Sequence, residues 1–139
     1  MPPLYELTVL TPDRTLFEGR VGGLVAPGAD GYFGVLARHA PMVAELATGE
    51  LAVVDEREER QVFAVTAGLL EVAWDAVTIL VDAAEGSGEI DVARARAAQQ
   101  RARQRLRSRS AGVNATRAEA ALVRAVNRLR VAAKRRRPG

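Results

Sequence analysis

Apolar positions in the first ninety residues recur as short, near-alternating runs between glycine, proline and acidic turns; from Asp91 onward they recur at steps of three and four. The first pattern belongs to half-buried strands and the second to amphipathic helices. Strands are predicted at 4–10, 20–26, 42–46, 51–54, 62–66, 69–74 and 77–81. That many short strands between turn signals predict a sandwich or barrel. The clearest hairpin puts Leu70, Val72 and Trp74 on one face, turns at Asp75 and Ala76, and sets Val77, Ile79 and Val81 opposite them. A first helix is predicted over 91–108, with Asp91 as N-cap, Ile90 just outside it and Gly112 ending the run. Thr116 and Glu119 have the capping-box spacing, so a second helix is predicted from there to about 135, before Pro138. Its stripe is Ala118, Leu122, Ala125, Leu129 and Ala132, against a thinner one of Ala95, Ala98, Ala102 and Leu106 on the first helix. Two helices joined by so small a seam are marginal alone, which predicts a mobile pair.

Charge divides the chain at the same place. Residues 1–90 carry 5 Lys or Arg against 15 Asp or Glu, a balance of −10, and residues 91–139 carry 15 against 2, a balance of +13. All six aromatic residues precede the boundary. We therefore read two units, 1–86 as the β part and 87–139 as the helical part with a basic tail. No signal peptide is visible at the amino terminus, and the most apolar stretch, 67–81, is interrupted by Glu71 and Asp75, so neither export nor a membrane span is expected.

Little in the β part carries reactive chemistry. Without cysteine there is no disulfide, thiolate or Cys-based metal site. Asp55, Glu56, Glu58 and Glu59 crowd one hairpin tip, but without fixed ligand spacing they read as a solvated turn. Gly28, Gly31 and Gly34 have the wrong spacing for a dinucleotide fingerprint and read as turn residues. The single histidine, His39, has no serine near it in sequence and reads as a structural or interface residue. We expect no catalytic residue and no metal ligand.

The arginines of the helical part are more informative. At about 100° per residue, Arg94, Arg101 and Arg105 fall within about 40° of one another, and Arg117, Arg124 and Arg128 repeat the same steps on the second helix. Gathered beside the seam, six guanidinium groups would repel one another unless an anion joined them, and a polyphosphate suits bidentate guanidinium donors. Glu85 and Asp91, at the mouth of the first helix, could accept hydrogen bonds from a ribose or an exocyclic amine. The alternative is arginine-rich composition on a surface, since Arg96, Arg103 and Arg107 fit neither stripe.

The order of β part and Ala/Arg helices, with GYFGVLARHAP at 31–41, GLLEV at 68–72 and VTIL at 77–80, resembles the epsilon subunit of the bacterial F-type ATP synthase over nearly the whole chain. One departure is Arg38, where that family usually has glycine. The resemblance implies a β + α fold, an N-terminal ten-stranded β-sandwich followed by a C-terminal antiparallel two-helix hairpin. It implies a non-catalytic central-stalk subunit that binds the gamma subunit and the c-ring and couples proton transport to ATP synthesis. Its hairpin would extend toward the beta and alpha subunits to inhibit ATP hydrolysis. IDVARA at 90–95 is similar to the ATP-binding motif I/L-D-x-x-R-A of that family. By that similarity Ile90, Asp91, Arg94 and Ala95, with Glu85, Arg101, Arg117, Arg124 and Arg128, would bind ATP as a regulatory ligand that holds the hairpin folded. No cofactor is required. The implied location is the cytoplasmic face of the bacterial plasma membrane, as a peripheral part of the complex. The rival reading is a nucleic-acid-binding protein using the basic helices, against which stand the missing aromatics for base stacking.

Overall fold

The computed structural model describes residues 3–108 and 114–134. These residues form nine strands and two α-helices: β1 (Tyr5–Leu10), β2 (Thr15–Gly28), β3 (Gly31–Val35), β4 (Met42–Leu46), β5 (Gly49–Asp55), β6 (Arg60–Val65), β7 (Gly68–Ala73), β8 (Ala76–Val81), β9 (Ala84–Gly86), α1 (Val92–Arg107) and α2 (Ala115–Ala133). A single 3₁₀ turn, Ser87–Glu89, leads from β9 toward α1.

The strands hydrogen-bond in the order β1-β8-β7-β4-β2-β5-β6-β9, with β3 on β2 and a closing pair between β1 and β2. β2 makes this two-layer sandwich possible. Its first half pairs with β1, its second half with β3, and Gly22 is an extra residue between the pairs Val21–Asp55 and Gly23–Val54. Such a bulge bends a strand from one layer into the other. Because β2 passes through both layers as one 14-residue strand, the described residues count nine strands where the resemblance implied ten. Alternate residues fill the core between the layers, among them Leu7, Val9, Val21, Leu51, Val53, Leu70 and Ile79, all fully buried. Branched apolar residues at every second position of a pleated strand leave one face for the core.

Two local expectations need correction. The β7–β8 pairs are Val72–Val77 and Ala73–Ala76, so the turn is Trp74-Asp75 rather than Asp75-Ala76. Trp74 is not on the core face; it is 81% exposed, at φ 58°. Tyr5 already closes that end of the core, buried and donating its hydroxyl to the Val35 carbonyl at 2.6 Å. The second correction concerns the start of α2. Its N-cap is Asn114, whose side chain accepts the Arg117 N–H at 3.1 Å, and Thr116 lies inside the first turn. Asparagine is the stronger cap of the two. The predicted stop at Gly112 lies outside the described residues.

α1 begins as its sequence predicts, with Asp91 Oδ1 accepting the Arg94 N–H at 3.0 Å. The two helices pack through Ala95, Ala102, Ala118 and Ala125, each at most 3% exposed, with Leu106, Leu122 and Leu129 half-buried. The helices dock on the sandwich through the far end of α2. There Val131 and Ala132 pack on Val62 and Ala64 of β6 and on Ile90. No helix among the described residues is long and apolar enough to cross a membrane.

Candidate functional site

Docking of α2 on the β6–β9 edge leaves a cavity of about 300 Å³ between the sandwich and the helices. Small side chains create it: Ala64 and Ala84 on the strands, Ala98 on α1, and Ala121 and Ala125 on α2. Its polar lining is Thr48, Thr66 and Glu85 from the sandwich, facing Arg124, Asn127 and Arg128 at steps of three and one along α2. The volume is at the lower end of the range for small-molecule pockets.

Two of these groups meet directly. Arg128 Nε donates to Glu85 Oε1 at 2.6 Å and Nη2 to Oε2 at 3.2 Å, with each side chain at most 32% exposed. This two-pronged geometry is the one guanidinium and carboxylate favour. Asn127 Nδ2 donates to the Gly49 carbonyl at 2.8 Å and fixes α2 against the start of β5.

A second cavity, of about 570 Å³, opens toward the other end of the helices. It is lined by Arg105 of α1, by Asn114, Arg117 and Arg124, and by Ala118, Ala120 and Ala121. Arg124 and Ala121 line both cavities, so the two are neighbours along one face of α2. Among the described residues, no ion pair engages Arg105, Arg117 or Arg124. Their charges therefore stay available to an anion, and three guanidinium groups around one opening raise the local potential for negative charge.

The residues singled out from sequence fall into three groups. Glu85, Arg124 and Arg128 share the first cavity, and Arg117 joins Arg124 at the second. Ile90 and Ala95 are buried packing residues, and Asp91 is an exposed cap with one carboxylate oxygen engaged by its own helix. Arg94 and Arg101 are exposed and line neither cavity. Four polar lining residues, Thr48, Thr66, Asn114 and Asn127, are absent from the sequence-based set. Asn127 alone left a signal, as a poor helix former inside a helix next to Arg128.

The other candidate groups of the β part are engaged locally. Asp55 Oδ1 accepts the N–H groups of Arg57 and Glu59, and Oδ2 accepts the Gln61 amide. Burial pulls its carboxyl upward, but these hydrogen bonds outweigh that and hold it below the usual range. The carboxylate thus organises its own hairpin. His39 Nδ1 donates to the Ala40 carbonyl at 2.8 Å in an exposed loop.

Comparison with known proteins covers almost the whole chain. Residues 4–87 match the family described as ATP synthase, Delta/Epsilon chain, beta-sandwich domain, and residues 89–133 match its long alpha-helix domain. The ATP synthase epsilon chain of Moorella thermoacetica is 44% identical over 127 residues, covering 91% of this chain and 95% of its own. That of Syntrophobacter fumaroxidans is 46% identical over 134 residues, covering 96% and 99%. Among solved structures, a chain of the Euglena gracilis mitochondrial ATP synthase, in its OSCP/F1/c-ring assembly, superposes with a TM-score of 0.77 at 27% identity, covering 88% of this chain and 78% of that one.

Proposed function

Since this chain belongs to the ATP synthase epsilon family and is a non-catalytic subunit of that complex, we propose that it is a regulatory rotor component whose folded helical hairpin binds ATP. The observation that carries the reading is the arginine-lined pair of cavities. The first has one wall on the sandwich and the other on the helices, so it exists only while α2 is docked. A ligand held there binds the docked state alone and shifts the population toward it. Arg124, common to both cavities, would bridge the base and sugar end of the ligand to its phosphates. Arg117 would add a second guanidinium donor for phosphate oxygens. The first cavity, with its alanine floor and the Glu85 carboxylate, suits a base and ribose.

In this reading the ligand-free hairpin leaves the sandwich and extends along the gamma subunit toward the catalytic subunits, where a segment of net charge +13 meets acidic protein and inhibits ATP hydrolysis. The sandwich would rest on gamma and the c-ring and place the subunit at the membrane surface in the central stalk. The small alanine seam supports such a device, because helices joined by few apolar contacts separate at modest cost.

The test is calorimetric titration of the full chain with ATP and ADP, beside the Arg117→Ala/Arg124→Ala variant. Saturable binding of ATP that the variant loses supports the reading. No binding, or binding that the variant keeps, overturns it and leaves the stripes as surface charge.

A further inference from the structure

Among the described residues, three polar contacts tie the end of α2 and Lys134 to the strands, and one of them, Lys134–Glu50, lies outside the lining of both cavities. Asn127 Nδ2 reaches the Gly49 carbonyl, and beyond the last turn Lys134 Nζ meets Glu50 Oε2 at 2.5 Å. Gly49 and Glu50 are consecutive at the start of β5, so both contacts grip one point of the sandwich. That point is itself rigid: the Glu50 N–H donates to the Tyr32 hydroxyl at 3.0 Å, and a side chain at Gly49 would collide with Pro27 and Tyr32. We propose that the Lys134–Glu50 ion pair, with the Asn127–Gly49 hydrogen bond, is a clasp that positions α2 on the sandwich. The Lys134–Glu50 pair, which lines neither cavity, sets what fraction of the protein has the cavity formed without adding to what the cavity binds.

Among the described residues the apolar contact at this end is small: Val131 and Ala132 against Val62, Ala64 and Ile90, with Val92 packed beside them. Polar contacts therefore share in the docking. Glu50 is suited to the part because its side chain is only 16% exposed, which strengthens its attraction to Lys134 relative to a surface pair. Arg60 lies 3.7 Å from the same carboxylate and is more exposed. When α2 lifts away, Arg60 can take over the Glu50 carboxylate, so opening leaves that half-buried anion paired while Lys134 passes into water, and the clasp can close again. The contact's effect on ligand affinity rests on the nucleotide reading above; its effect on the hairpin does not. If only the docked fraction binds, apparent affinity falls in proportion to that fraction.

The chain has no cysteine, so Glu71→Cys on the exposed face of β7 and Glu119→Cys on α2 give two unique labels for a distance measurement between sandwich and helix. In the full chain without ligand, Glu50→Gln and Lys134→Gln should each raise the ratio of undocked to docked molecules by roughly three- to tenfold. The double variant should be no worse than either single one, and Lys134→Arg should keep the native distance. Saturating ATP should return the single variants to the docked distance. Unchanged ligand-free distances in Glu50→Gln and Lys134→Gln would overturn the clasp. Absence of ATP binding in the unsubstituted chain would instead overturn the nucleotide reading, while the ligand-free distances still decide on the clasp.

Discussion

The Arg128 guanidinium and the Glu85 carboxylate meet through two hydrogen bonds, joining α2 to β9 across 43 positions of sequence. The pair lines the first cavity and is partly shielded from water. It both docks the helix and holds Arg128 in place beside Arg124. Removing either partner leaves the other charge poorly solvated. A double-mutant cycle of Glu85→Gln and Arg128→Gln, followed by denaturant unfolding of the full chain, should give a coupling of about 1 kcal/mol. Additive effects would mean that the pair does not fasten the hairpin.

Arg38 sits at φ 62°, a left-handed conformation that costs an L-residue roughly 1–2 kcal/mol. Glycine has no such cost but loses more freedom on folding, which offsets part of the gain. Arg38→Gly should therefore raise stability by about 0.5 kcal/mol in urea unfolding. Arg20→Gly, in a strand, should lower it.

Trp74, the sole tryptophan, projects from the β7–β8 turn into water. Its emission should already be that of solvated indole in the folded chain, quenched freely by acrylamide and hardly shifted by urea. A blue-shifted folded spectrum would contradict its placement. The positive φ there also predicts that Trp74→Asn keeps or improves stability, since asparagine tolerates this region better than a bulky side chain.

Glu89 fastens the link between the sandwich and α1. The Gly86 N–H, 3.0 Å from Oε1, holds its carboxyl below the usual carboxylate range; burial opposes this, and Arg14, 3.0 Å from Oε2, adds to the lowering. A carboxyl lowered on folding contributes stability above its unfolded value of about 4.3, and that contribution is lost as pH falls through the folded value. Both partners are about half exposed, so screening keeps the contribution small. Glu89→Gln should cost about 0.5 kcal/mol at pH 7, and the difference from the unsubstituted chain should shrink as pH falls below the usual carboxylate range. A difference that grows on acidification would refute the assignment.

The seam between the helices should reject bulk. Ala102 is almost fully buried where α1 and α2 pack and borders neither cavity, so Ala102→Leu should cost about 1–3 kcal/mol of helix docking, visible as lost helical signal at lower denaturant.

Much of this was legible in the chain because each element's pattern agrees with its environment. Strand β4 was predicted at its observed bounds, and Asp91 was recognised as a cap because cap chemistry is local. The misses share a cause. Gly31 and Gly34 disguised β3 as a turn, and β9 is too short for any periodicity. Trp74 read as core because its alternation is correct, and only pairing with β8 and the presence of Tyr5 decide that it faces water. Helical periodicity grouped the arginines by angle, but it could not see where along the helices a cavity opens. Arg94 and Arg101 thus line neither cavity, while Arg105, Arg117 and Arg124 share one. Asn127 and Lys134 find Gly49 and Glu50 about eighty positions away, a meeting that no local pattern encodes.

Hydrogen–deuterium exchange of the full chain with and without ATP would test the coupling of ligand to hairpin most directly. If ATP binds the arginine cavities of the docked state, amides of α1 and α2 should exchange more slowly at saturating ATP, while β1, β7 and β8 remain unchanged. Equal exchange in the helices under both conditions would contradict the account.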